Sequence, residues 1–144
     1  MTSPLTADDF VPFYEQVHGY RPFGWQARLA SEAAARLLDG DASVPVFPSV
    51  VDVPTGAGKT SLIDIAVFLL ALDAGRQPPE RRVPRRIAFV IDRRVVVDQA
   101  FEHARRIAER LGEPGSGVVQ QVADALRSYA PGRESDTPLD VVAL

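Results

Sequence analysis

The chain contains no cysteine, which excludes a disulfide framework and any thiolate metal site. Histidine is almost as scarce: His18 and His103 are the only two, in unrelated sequence settings, so no zinc site is expected. Long apolar runs are missing too. The longest, Ile65 to Leu72, lies between Asp64 and Asp73 and is far too short to cross a bilayer. The opening stretch MTSPLTADD is acidic and lacks the apolar centre of a signal peptide. These absences point to a cytoplasmic protein without membrane contact. Lysine is the rarest charge: of sixteen basic residues fifteen are Arg and one is Lys, at position 59. A sequence that otherwise always uses Arg suggests, at Lys59, a site needing a compact ammonium in place of a planar fork.

What is present suits one globular domain. With 144 residues, 46% hydrophobic and 24% charged, such a chain buries roughly two-thirds of its unfolded surface without covalent staples. The net charge of −3 provides no global attraction to nucleic acid, so any such binding must come from a local patch.

Periodicity predicts a short helix over 6–18, capped by Thr6 or Asp8 and interrupted near Pro12, and then a turn over 19–24. Trp25, Leu29, Ala33 and Leu37 recur every fourth residue up to Gly40, the pattern of an amphipathic helix with a glycine stop. The β-branched run 49–53 (SVVDV) reads as a buried strand, and 59–74 as a helix apolar almost all round. A Pro- and Arg-rich loop over 76–84 leads to a second strand, 87–91 (IAFVI). A helix follows from Val97 to Leu111, with Glu102 and Arg106 spaced for an ion pair. Another helix over 118–129, a polar loop over 131–138 and a strand-like run 139–144 complete the chain. Strands alternating with helices predict an α/β fold: a parallel sheet with flanking helices. Because its last strand runs straight into residue 144, a fragment is suspected.

The segment Pro54-Thr55-Gly56-Ala57-Gly58-Lys59-Thr60-Ser61 carries the strongest chemical signal. Gly56 and Gly58 let the backbone curl until its N–H groups face a β-phosphate, and the helix that follows adds its positive end. Lys59 is placed to reach the terminal phosphates as a point charge, and the Thr60 hydroxyl to hold Mg²⁺. Val53 stands where the strict pattern G-x-x-x-x-G-K-[ST] has its first glycine; the shorter T-G-x-G-K-T form remains. The bland alternative is a glycine-rich turn that merely joins two elements.

Upstream, Gln26 can pair with an adenine edge, donating and accepting at once, while Phe23 or Tyr20 stacks on the base. A Trp-Gln pair alone reads equally as a core anchor, Trp25, beside an ordinary surface residue. Downstream, Arg93 and Arg94 follow the expected second strand, where they can clamp the phosphates of a single strand. Ten of the fifteen arginines fall between Arg76 and Arg110, against five acidic residues. The whole-chain charge conceals this basic region. Arg105, Arg106 and Arg110 read better as a salt-bridged helix face.

Three blocks now stand in order: PFGWQ, DVPTGAGKTS and FVIDRRVVVDQ. Together they resemble the Q-type motif, motif I and motif Ia of superfamily 2 helicases. The third block departs from the usual form at Asp92 and Arg93 and matches it at Arg94, Asp98 and Gln99. The D-R-R-x-V-V-D-Q variant is most similar to the CRISPR-associated helicase-nuclease of type I systems, subtype I-G. The likeness covers roughly residues 20 to 105.

It implies residues 1–22 as a helical lead-in and 23–144 as an incomplete first RecA-like P-loop domain. In the full-length protein that domain would drive ATP-dependent unwinding and degradation of target DNA in antiviral defence. Implied ligands are ATP and Mg²⁺; implied partners are single-stranded DNA and a CRISPR effector complex. The implied contacts are Thr55 through Ser61 for phosphate, Gln26 and Phe23 for adenine, Arg93 and Arg94 for DNA, and Thr60 for the metal. The D-E-x-[DH] motif II, a second motor domain and an HD pair are not found, so no catalytic residue is assigned. A restriction or repair translocase, or a non-catalytic nucleotide-binding remnant, fits the same blocks.

Overall fold

A computed structural model describes residues 4–131 and 137–143. The polar loop expected over 131–138 lies largely outside these residues, as does Leu144. Among the described residues the regular elements are helices: α1 (Phe10–His18), α2 (Gly24–Leu38), α3 (Leu62–Asp73), α4 (Arg94–Gly112) and α5 (Val118–Arg127), with single 3₁₀ turns at Ala7–Asp9, Lys59–Ser61 and Pro78–Glu80.

Local chemistry explains the helix starts and stops. The Thr6 N–H and hydroxyl both donate to Asp9 Oδ2, at 2.8 and 3.0 Å, and steady the turn that leads into α1. Pro12 does not interrupt α1. It is the third helical residue, where its missing N–H would have had no intrahelical partner in any case. Gly19 then closes the helix, its N–H bonded to Glu15 O at 2.8 Å.

Helix α3 forms the centre, packing against α1, α2, α4 and α5. Its sequence LIDIAVFLLALD is apolar on nearly every face, as a helix surrounded by neighbours must be. Ile65, Phe68 and Leu69 have no exposed surface, and burying each such side chain contributes about 1.5–3 kcal/mol. Phe68 meets Phe10 and Phe13 of α1 at centroid separations of 5.6 and 5.8 Å. On the far sides, Ala30, Ala33, Ala34 and Leu37 of α2, Ile107 and Leu111 of α4, and Val119, Val122 and Ala123 of α5 close the core. Helix α4 keeps an outer charged face, but Arg105 pairs with Glu102 and Glu109 in place of the expected Glu102–Arg106 pair.

The expected α/β fold is corrected by this architecture. No strand forms among the described residues, so there is no parallel sheet, and a RecA-like P-loop domain is not the observed fold. Segments 49–53, 87–91 and 139–143 carry no ladder: among the described residues, no backbone hydrogen bond joins any two of them. They are nevertheless gathered on one side. Ile87 to Ile91 and Leu139 to Ala143 line a common cavity of about 440 Å³ with Ile63, Val67, Ala100, Phe101 and Ala104. Val51 lies near Ile87 and Phe89 around a neighbouring one. Of the segments' apolar side chains, Leu139 packs against the core, while Val50, Ile87, Phe89, Val90 and Val142 are exposed. A short β-branched run signals that a segment seeks apolar cover. Strand pairing is a further condition, and these segments do not meet it.

The basic stretch after α3 is tied down by one buried acid. Asp73 Oδ2 accepts the N–H groups of Arg82 and Val83, each at 2.8 Å. Arg82 donates to Arg36 O at 2.9 Å and to Val44 O. Arg81 lies over the Tyr129 ring, 4.7 Å from its centroid. These arginines hold the fold together.

Absence of a ladder has a direct consequence for hydrogen exchange. The amides of Ile87–Ile91 should exchange within the range of the connecting loops, while α3 amides are protected by orders of magnitude more. Residue-resolved exchange that protects 87–91 as strongly as α3 would contradict the helical architecture.

Candidate functional site

Two adjoining features arise where α1, α2, α3 and α4 meet. The first is the glycine-bearing turn before α3. Gly56 and Gly58 both take φ 80°, a left-handed conformation that a side chain would strain. A Cβ at Gly58 would lie 2.5 Å from Gln26 Nε2. The turn is therefore curled, with Ala57 N–H bonded to Pro54 O at 3.2 Å and Ser61 N–H to Gly58 O at 3.1 Å. Among the described residues, the N–H groups of Gly56, Gly58, Lys59 and Thr60 have no intramolecular acceptor.

Two neighbouring residues at the start of α2 pin this turn from outside. Trp25 Nε1 donates to Ala57 O at 2.8 Å, and Gln26 Nε2 donates to Gly58 O at 2.9 Å. Gln26 Oε1 accepts the Phe23 N–H at 2.7 Å, and the side chain is buried. Both ends of this amide thus bond to the protein itself, a role the sequence does not disclose. Phe23 lies beside it, near Gly58, while Tyr20 packs against Tyr14 and His18; each is 56% exposed. Thr55 and Lys59 are exposed and Thr60 is partly so. Lys59 makes no ion pair, and the Thr60 hydroxyl makes no hydrogen bond, among the described residues. The donor set thus suits a phosphate, with a free hydroxyl beside it for a hard cation. Arg93 and Arg94 stand exposed at the start of α4, also without an ion pair among the described residues.

The second feature was not anticipated. His18 at the end of α1, Asp64 in the first turn of α3 and His103 in the middle of α4 converge. His18 Nε2 lies 2.6 Å from Asp64 Oδ1, and His103 Nε2 lies 2.5 Å from Asp64 Oδ2. A carboxylate only accepts, so both imidazoles donate through Nε2–H. The rings stack at 4.6 Å with 21° between their planes. The Asp64 and His18 side chains have no exposed surface, and His103 retains 14%. The expectation of unrelated histidines is thereby corrected. The signal lay in periodicity: an aspartate within an otherwise apolar helix must find polar company.

Tyr14 links the two features. Its hydroxyl meets Ser61 Oγ at 3.0 Å, and its ring lies 4.5 Å from that of His18. One turn of α1 thus touches both the end of the glycine turn and the carboxylate bridge. Burial pushes the Tyr14 phenol up from 10.0 to about 12, opposed by the Ser61 hydrogen bond and reinforced by the Asp64 charge. Tyr129, whose hydroxyl donates to Leu70 O at 2.8 Å, is also raised, first by burial and then by the Asp73 charge.

Comparison of the chain with family models, curated proteins and solved structures finds no match. Among the described residues, no helix is long and apolar enough to cross a membrane.

The raised phenols set an alkaline limit on stability. Between pH 10 and about 12 the folded chain retains a Tyr14 proton that the unfolded chain loses, so the stabilisation present below pH 10 disappears as pH rises through this window. Arg does not titrate there, which leaves few competing groups. Urea unfolding midpoints should fall from pH 10 to 12 in the wild type and fall less in Tyr14→Phe. An identical slope in the variant would remove Tyr14 from the account.

Proposed function

We propose that this chain binds the phosphates of ATP, with Mg²⁺, at the turn Thr55–Ser61, as the nucleotide-binding part of an ATP-dependent DNA helicase or translocase. The reading rests on one observation. Four N–H groups without an intramolecular acceptor, at Gly56, Gly58, Lys59 and Thr60, lie on a curled backbone beside the only lysine. Free amides on such a curl attract an anion, and the Lys59 ammonium adds the charge that distinguishes a polyphosphate from a single carboxylate.

Other residues take supporting parts. Trp25 and Gln26 hold the curl by their bonds to Ala57 O and Gly58 O, so the donors are positioned before the ligand arrives. That lowers the ordering cost of binding. Phe23 offers an exposed ring next to the turn for the adenine base, and Tyr20 a second exposed ring packed against Tyr14. Thr60 supplies its hydroxyl to Mg²⁺. Arg93 and Arg94 contact the phosphates of single-stranded DNA. The similarity of PFGWQ, DVPTGAGKTS and FVIDRRVVVDQ to helicase motifs favours the CRISPR type I helicase-nuclease as the parent system, with its effector complex as partner. No residue here is assigned to hydrolysis. The proposal concerns binding.

A fluorescent ATP analogue titrated with Mg²⁺ tests it. Lys59→Ala should weaken binding by about 10-fold or more, equivalent to at least ~1.4 kcal/mol. Thr60→Ala should remove most of the Mg²⁺ dependence. Equal affinity in the wild type and Lys59→Ala would refute the phosphate assignment.

A further inference from the structure

We infer that His18, Asp64 and His103 form a binding site for one divalent transition-metal ion of the zinc type, separate from the nucleotide turn and its Mg²⁺. Three helices deliver one ligand atom each, and all three atoms lie within 4.8 Å of one another. Two imidazole nitrogens and one carboxylate oxygen form a donor set that favours zinc, cobalt or nickel over magnesium or calcium, which prefer oxygen. Three protein ligands leave a fourth position open for water.

Burial and charge argue for the ion. Asp64 has no exposed surface. Among the described residues, its ion-pair partners within 4 Å are the two imidazoles; no Lys or Arg reaches it. A buried carboxylate held only by hydrogen bonds keeps much of its desolvation cost, which a divalent cation would offset. An approach path exists at His103, the one ligand with exposed surface.

Ligands at about 2.0–2.1 Å from a tetrahedral ion stand about 3.3 Å apart. The two N–O separations, 2.6 and 2.5 Å and each to a different oxygen of Asp64, must open toward that value, while the three ligand atoms, now within 4.8 Å of one another, turn to face a single ion. Binding also reverses the tautomers. Without metal, the ring protons sit on Nε2 and point at Asp64. With metal, Nε2 donates its lone pair and the ring proton moves to Nδ1. No electron transfer is involved. Any further proton lost comes from the bound water.

The chain's composition makes the test specific, since it has no cysteine and only these two histidines. An untagged, nucleotide-free chain is stripped of metal and titrated with Co²⁺. We expect visible bands of four- or five-coordinate cobalt that saturate at one equivalent, disappear with EDTA, and are displaced by Zn²⁺. Zn²⁺ should also raise the melting temperature. Because removing a buried group can unfold the chain, the variant of choice is His103→Gln. Its amide can still donate to Asp64 while ligating poorly. It should remain folded by circular dichroism and lose more than the roughly 10- to 100-fold in affinity that loss of an outer-shell partner costs. An absence of cobalt bands in the folded wild type would overturn the site, and so would unchanged affinity in folded His103→Gln. Lys59→Ala should bind cobalt as the wild type does, which keeps this outcome independent of the nucleotide reading.

Discussion

A carboxylate without exposed surface, placed in the first turn of the most buried helix, constrains everything around it. Asp64 cannot be left without partners at that depth, and the two groups that satisfy it come from α1 and α4. The end of α1 and the middle of α4 are therefore fixed against the start of α3, which is also where the glycine turn ends. Tyr14 extends the same fastening to Ser61. At the other end of α3, Asp73 plays a comparable part by accepting two amides from the Arg-rich stretch. The two acids that bracket the apolar run in the sequence are the two anchors of the helix that contains it.

This arrangement gives the turn its position. Trp25 and Gln26 hold its carbonyls from α2, while Ser61 is held from α1. Between these fixed points the N–H groups of Gly56, Gly58, Lys59 and Thr60 have no intramolecular acceptor among the described residues. A site built on rigid neighbours orders less on binding than one on a free loop. The carboxylate bridge and the glycine turn thus share a frame without sharing residues.

The helices were legible because each carries a periodic apolar face or, for α3, an apolar surface on all sides, together with readable ends such as Thr6 and the turn that opens at Gly19. The curl at 54–58 was legible because glycines at two alternate positions before a lysine serve few other purposes. The sheet was misread. The runs SVVDV, IAFVI and LDVVAL are β-branched and apolar, and a preference for apolar cover was taken for strand pairing. In the structure these segments border cavities beside α3 and α4, and most of their apolar side chains stay exposed. Gln26 was read as a ligand contact, yet the structure shows its amide bonded to Gly58 and Phe23. The one signal for the histidine pair was Asp64 within an apolar helix, and it names no partner. The two histidines lie eighty-five positions apart by number (103 − 18), and only the packing of α1 and α4 on α3 brings them to one carboxylate.

The bridge itself is the claim most open to direct observation. Long-range ¹⁵N-edited NMR of the imidazoles in the metal-free chain reports which ring nitrogen carries the proton. The account requires both His18 and His103 to hold it on Nε2, with slowly exchanging protons shifted downfield by the Asp64 carboxylate. Two rings averaging between tautomers and exchanging freely with water would show that Asp64 does not bind them, and that α1, α3 and α4 are not joined in this way.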